Sequence, residues 1–195
     1  MIKNYIMKLF TMAALAAATL ALTNCSPSMM ADDSSKTVMV GGAAMYPTKN
    51  IVENAVNSAD HTTLVAAVKA AGLVETLSGP GPFTVFAPTN EAFNMLPVGT
   101  VDLLVKPENK KTLTNILTSH VVSGRYSGAD LMRMVKAGNG MASLTTVSGH
   151  KLMVTRQGDT LLVKDENGGM AIVSIANVFQ SNGVIHVVDH VLIPA

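Results

Sequence analysis

The chain predicts an α+β fold, on three observations. Apolar residues recur three and four apart over much of residues 51–136, the spacing of amphipathic helices. Beyond residue 143 the period changes to short β-rich runs divided by glycine-containing turn signals. One early strand, Phe83–Ala87, must find its partners among those later runs, which ties both parts into one domain rather than a βαβ repeat. With 195 residues, 48% of them hydrophobic and 14% charged, the chain has material for a single domain with a sizeable core.

The first residues read as an export segment. Lys3 and Lys8 precede Leu9–Leu22, an uncharged alanine-rich run of signal-peptide length, short for a membrane span and apolar all round. Residues 1–24 are therefore expected to be a signal peptide of lipoprotein type. Cys25 follows directly and is the single cysteine, so it has no internal disulfide partner. Leu22 and Thr23 match the bacterial lipobox, and Asn24 departs from it where Gly, Ala or Ser is usual. The expectation is cleavage before Cys25 and acylation of that residue, more than one acyl chain being needed for stable anchoring. Ordinary cleavage and an uncleaved anchor are the alternatives.

Of the 14 basic side chains, Lys3 and Lys8 leave with residues 1–25, so 12 remain against 13 acidic ones and the net charge becomes −1. Without a basic face there is no electrostatic case for a nucleic-acid partner. Residues 25–45 mix Ser, Asp, Gly and Met with no sustained period and read as a flexible tether, with the domain spanning residues 46–195.

Within the domain, Ile51, Val52, Ala55 and Val56 form the first helical stripe. Thr62–Ala71 is the next helix, with Leu64, Val65 and Val68 on one face and Gly72 as its stop. The run Gly81–Phe93 then reads as a strand that ends and re-enters as a helix. Phe83–Phe86 suit a half-buried strand, and Pro88 has no N–H to offer a ladder. Thr89 stands at an N-cap, with Glu91 at the positive end of the helix it opens. Further helices are expected over Val101–Val105, over Glu108–Thr118 behind Pro107, and over Ser127–Lys136, the last capped by Ser127 or Asp130 and ended by Gly138. Strands are expected at Ser143–Val147, Lys151–Thr155, Thr160–Lys164, Ala171–Ile175 and Val184–Ile193. Gly149, Gly158, Gly168 and Gly183 mark the turns between them.

Catalytic signatures are missing from the sequence: there is no Gly-x-Ser-x-Gly, no Gly-x-x-x-x-Gly-Lys, no His-Glu-x-x-His and no Cys-x-x-Cys. Ser119, His120 and Asp130 can be written as a triad, but no local signature supports one, and His120 reads as a buried structural histidine. His186 and His190 point to one side of a continuous strand, with His61, His120 and His150 as further donors. Along an extended strand they stand roughly 13 Å apart, too far to share an ion unless the chain bends at Asp189. The 13 methionines raise copper(I), those at Met29, Met30, Met39 and Met45 lying in the tether, yet no Met-x-x-Met array occurs. No metal and no cofactor are expected.

Three motifs in order resemble the fasciclin (FAS1) family. Gly81–Phe93 resembles its first signature and Asn182–Pro194 its second. Between them, Ser119–Gly124 is similar to the family's Tyr-His or Asn-His pair followed by Val-Val-Pro-Gly, with Ser119 and Ser123 as departures. Residues 51–73 look like those of many bacterial members, so the resemblance runs from about Tyr46 to Ala195. It implies a wedge-like sandwich of about seven strands in two packed sheets, with N-terminal helices covering one side. It also implies a non-catalytic adhesion role in secreted or membrane-anchored proteins. In animal members, integrin contacts have been linked to the Tyr-His segment and to an Asp-Ile pair upstream of the second signature. The matching positions here are Ser119-His120 and Asn177-Val178, without the tyrosine and without the carboxylate.

The candidate binding residues are therefore His120, Arg125, Tyr126, Asn177 and Val178, with loops and helix faces near Pro88–Met95 or Arg125–Asp130 as the recognition surface. The expected function is an envelope-anchored or secreted adhesion module. It would be monomeric, meet protein or polysaccharide on a cell surface or matrix, and reach the membrane through its lipid. A periplasmic protein binding a small ligand or metal is one alternative, and a hydrolase of envelope polymers another.

Overall fold

The computed structural model describes residues 36–195. The signal segment, Cys25, Met29 and Met30 lie outside the described residues. The first element falls inside the expected tether. Val38–Val40 (β1) and Ala43–Met45 (β2) pair antiparallel across Gly41 and Gly42, both at positive φ. Tight two-residue hairpins need that backbone, which glycine adopts without steric cost. Val40 and Met45 are buried in the core, so the folded domain begins near residue 38 rather than at residue 46. Met45 is thus a core residue and not a tether methionine.

Asn50 opens α1 (Ile51–Ala55) with a capping box: its side chain accepts from the Glu53 N–H while Glu53 accepts from the Asn50 N–H. α2 (Thr62–Ala71) occupies the residues its period marks and stops at left-handed Gly72. α3 (Val74–Ser78) was not foreseen; a single turn and a half is too short to display a period. β3 (Phe83–Pro88) gives way to α4 (Asn90–Asn94), whose Ala92 N–H donates to Thr89 Oγ1 at 3.3 Å. α5 (Thr100–Leu104) and α6 (Lys110–Thr118) lead into β4 (Val121–Ser123). Ser127 and Asp130, the two proposed caps of α7 (Gly128–Ala137), act together as a reciprocal box.

The remaining strands are β5 (Met141–Thr145), β6 (Lys151–Gln157), β7 (Thr160–Lys164), β8 (Met170–Gln180) and β9 (Gly183–Val188). With β3 and β4 they form seven strands in the order β4-β3-β9-β8-β7-β6-β5. Long β8 joins the two halves, pairing with β7 through its first part and with β9 through the rest. Bulges between Val173 and Val178 turn it from one half to the other. A bridge between Val122 and Thr146 brings β4 back towards the end of β5, so the ladder nearly closes on itself.

β3 and β9 run parallel beside each other and are buried on both faces, which is why both read as near-continuous apolar runs. Val85, Ala87, Ile185 and Val187 face the helices. Phe86 and Val188 face a second core shared with Leu144, Leu152, Val154 and Val163. The outer strands instead alternate buried and exposed residues, because one of their faces is solvated. Parallel pairing starts at a close backbone approach. A Cβ on Gly81 would collide with the Asn182 carbonyl, and one on Gly183 with the Phe83 carbonyl. Each family-like motif thus carries its glycine where the other motif's backbone passes.

The last strand ends at Val188, short of the expected Ile193. Asp189 turns out to accept from the Ile172 N–H at 2.7 Å, and the Leu192 N–H donates to His120 Nε2 at 2.9 Å instead of to a neighbouring strand. Among the described residues, no helix is long and apolar enough to cross a membrane.

Candidate functional site

The candidate residues gather where the β4–α7 loop meets the β8–β9 hairpin, and the contacts there are structural. Thr84 on β3 holds the loop from below: its hydroxyl donates to the Gly124 carbonyl at 2.7 Å and accepts from the Tyr126 N–H at 2.9 Å. Arg125 lies exposed across the hairpin. Its guanidinium donates to the Gly183 carbonyl at 3.2 and 3.4 Å and to the Gln180 carbonyl, and it stands over the Phe179 ring. Tyr126 is half-buried against the second core.

Asn177 sits in the β8 bulge at a φ of 63°, a conformation that asparagine tolerates better than most residues. From there its side-chain oxygen accepts from the Gly128 N–H at 2.6 Å, at the start of α7. Where the resemblance would place an integrin-type carboxylate, this chain has an asparagine that ties helix to sheet. Its neighbour Val178 is 1% exposed and belongs to the helix-side core.

His120 is 3% exposed, so it too is unavailable as a surface contact. Its Nδ1–H donates to the Ile116 carbonyl at 2.8 Å and its Nε2 accepts from the Leu192 N–H at 2.9 Å, which defines the tautomer. It pins the end of α6 to the C-terminal segment. His120 and Val178 are therefore corrected from binding candidates to core residues: one spends both nitrogens on backbone and the other lies under the bulge. Arg125, Tyr126 and Asn177 are brought together but committed to backbone or core.

Two further groupings dissolve in the same way. The Ser119 hydroxyl bonds the Asn115 carbonyl and Ser148, while Asp130 serves Ser127 and Arg133, so the paper triad is not assembled. His186 is fully buried, stacked on Phe86, with Nε2–H donating to the Tyr126 carbonyl at 2.9 Å and Nδ1 accepting from the Asn177 N–H at 3.4 Å. His190 lies beyond the strand end, half-exposed and bonded to Asp189 at 2.9 Å. The two histidines are not on one continuous strand, because Asp189 turns the chain between them. No three His, Cys, Asp or Glu side chains converge on a metal position among the described residues.

Burial drives the electrostatics. Desolvation pushes both His120 and His186 down to about 4, against the opposing pull of the Ile116 and Tyr126 carbonyls, so both rings are neutral at physiological pH. Asp130 is held below the usual carboxylate range first by the Ser127 hydroxyl, and Glu166 by its hydrogen bond from His150.

Sequence reasoning missed two anchoring residues. Asn182 accepts from the Ile51 N–H at 3.0 Å and donates to the Leu77 and Gly79 carbonyls at 2.8 and 2.9 Å, joining β9 to α1 and α3. Asp165, buried in the β7–β8 turn, accepts from the Gly169 N–H at 2.7 Å and the Ile193 N–H at 2.9 Å. Asn182 was legible only as a turn residue, and nothing local marks Asp165.

The chain as a whole is similar to known proteins. The fasciclin domain model matches residues 59–194. Protein sll1483 of Synechocystis sp. is 47% identical over 163 residues, covering 82% of this chain and 81% of its own length. Immunogenic protein MPB70 of Mycobacterium bovis is 38% identical, covering 71% of this chain and 65% of its own. Transforming growth factor-beta-induced protein ig-h3 of Sus scrofa is 40% identical over 132 residues, which is 67% of this chain but 17% of that protein. A solved FAS1 domain pair from the insect cell adhesion molecule Fasciclin I superposes with a TM-score of 0.67 at 16% identity, over 80% of this chain and 57% of that one, and so speaks for the fold alone. With the family model spanning most of the domain and a relative at this identity matched over most of both chains, the chain belongs to the fasciclin family.

Proposed function

We propose that this protein is a non-catalytic adhesion module held on a bacterial cell envelope, with its contact surface in the α4–α5 segment. The observation that carries the reading is a set of exposed apolar side chains grouped in sequence just past the first family motif. Met95, Val98, Leu103 and Val105 are exposed, whereas Leu96, Val101 and Leu104 from the same stretch pack on the core. A solvated connection needs apolar residues only on its inner side, and an outward apolar strip marks an interaction surface. The strip adjoins the Pro88–Met95 region expected from sequence. The polar side chains Thr84, Thr89 and Asn90 of the first motif and Asn182 and His186 of the second are, by contrast, spent on architecture. Membership of the fasciclin family supports the same reading.

Anchoring rests on Cys25 after the apolar run, with acylation holding the domain at the membrane and protein or polysaccharide of a cell surface or matrix as partner. Mass spectrometry of the mature N-terminus tests the anchor: a diacylated or triacylated Cys25 is expected, and an unmodified terminus elsewhere removes it. Adherence of cells carrying the protein tests the module. Replacing Val98 and Leu103 together by Glu should lower adherence to the level of cells lacking the protein, with unchanged surface abundance. Equal adherence by the variant would contradict the assigned surface.

A further inference from the structure

A cavity of about 60 Å³ lies in the helix-side core, walled by the β1–β2 hairpin, α1 to α3 and the inner face of β3 and β9. Its wall is aliphatic apart from three polar side chains, and Phe86 borders it from β3 although its ring belongs to the second core. His120 has both nitrogens bonded, and Lys69 is exposed. His61 is different. It is 4% exposed, its Nδ1 bonds Ser58 Oγ at 2.9 Å, and its Nε2 has no hydrogen-bond partner among the described residues. Burial lowers the pKa of this ring; the nearby Ala87 carbonyl opposes the shift but does not reach hydrogen-bond geometry. That carbonyl favours the tautomer with the proton on Nε2, Ser58 Oγ–H then donating to Nδ1.

A buried donor whose nearby carbonyl is out of hydrogen-bond geometry is destabilising, and a bound group that supplies a well-placed acceptor relieves it. Water is a poor candidate. The volume is large enough for water, but a buried water needs roughly two to four polar partners and this wall offers one free group. A carboxylate head is also excluded from the interior, because an apolar wall facing a neutral ring leaves its charge unpaired. The solvent-reaching part of the lining is on α1, α2 and α3, where Val52, Val65 and Val74 are half-buried and Lys69 is exposed. Val40, Met45, Ile51 and Val52 come from residues before position 59, outside the stretch matched by the family model.

We infer that this cavity binds a neutral aliphatic molecule carrying one oxygen, an alcohol or ketone, with that oxygen accepting from His61 Nε2–H and the chain leaving between Val52, Val65 and Val74. The volume holds the oxygen and the first few carbons, and the remaining chain lies along the valine-lined mouth. The site is separate from the exposed α4–α5 strip, so it stands whether or not that strip is adhesive.

Methyl-resolved NMR titration of the exported protein tests it, with 1-octanol as probe and n-octane as the oxygen-free control. Octanol should produce saturable shifts at Leu64, Val68 and Ile185 and bind about tenfold more tightly than octane, the ratio expected for one buried hydrogen bond. His61→Phe should abolish that preference while octane binding changes less than twofold. Ala55→Leu, in the half-buried wall on α1, should prevent both from binding. No saturable shift with octanol up to its solubility overturns the proposal, as does equal affinity for octanol and octane in the native protein. If His61→Phe does not fold, the native octanol-to-octane ratio and Ala55→Leu decide between these outcomes.

Discussion

Acid should unfold this domain in a window set by two buried histidines. His120 and His186 fall from the ordinary value of 6.5 to about 4 because the folded chain desolvates them and occupies both ring nitrogens. Their folded pKa lies below the unfolded one, so between about pH 6.5 and pH 4 the unfolded chain binds more protons than the folded chain. Stability is therefore complete above that window, falls as pH falls through it, and loses nothing more from these groups below it. A shift of this size corresponds to about 3 kcal/mol per histidine. Set against total stabilities of about 5–15 kcal/mol, the pair decides whether the domain survives at pH 4. His61 moves in the same direction through burial, while Asp165 opposes the fall at His120. Urea unfolding followed by circular dichroism at half-unit pH steps measures the effect. Near pH 5 the slope should be roughly 2–3 kcal/mol per pH unit, and His120→Gln or His186→Gln should each remove about half of it. A slope below about 0.5 kcal/mol per unit, or one unchanged in both variants, would refute neutral, buried histidines at these positions.

Three other substitutions separate architecture from contact. Asn182→Ala removes three hydrogen bonds joining β9 to α1 and α3, and should cost about 2–4 kcal/mol by urea unfolding, with Tm lowered by roughly 5–12 °C. Gly183→Ala drives a Cβ into the Phe83 carbonyl at the start of the parallel pair, and should cost about 3 kcal/mol or prevent folding, seen as loss of soluble protein. Arg125→Ala loses its carbonyl contacts and the Phe179 ring, and should cost only about 1–2 kcal/mol since the side chain is exposed. Arg125→Ala should leave adherence intact, as measured on cells of matched surface abundance.

Much of the fold was legible because its local signals agree with its tertiary needs. Thr62–Ala71 and Thr160–Lys164 match their expected bounds, and Thr89 and Ser127 cap where a cap was read. What escaped is mostly settled at a distance. The hairpin at Val38–Met45 carries a Gly-Gly turn, but each strand is three residues long, too short to alternate visibly, and it is held by burial of Val40 and Met45. β8 runs on through Asn177 to Gln180 because β9 supplies its partner there, although the bulge breaks the period-2 pattern. At the candidate site, the residue types were readable and their roles were not. Whether Arg125 meets a partner or a carbonyl, and whether His120 faces solvent or Leu192, depends on segments roughly 55 to 72 residues away. The exposed strip at Met95–Val105 escaped for the opposite reason: its apolar residues look like core until packing shows which of them face out.

The most direct test of the proposed function is equilibrium retention of the purified protein on isolated envelope and matrix fractions, compared with Val98→Glu/Leu103→Glu. Saturable retention by the native protein, at least tenfold weakened in the variant while Tm stays within a few degrees, is the predicted result. Absence of saturable retention on every fraction, or retention undiminished in the variant, would contradict an adhesion module with its contact surface at α4–α5.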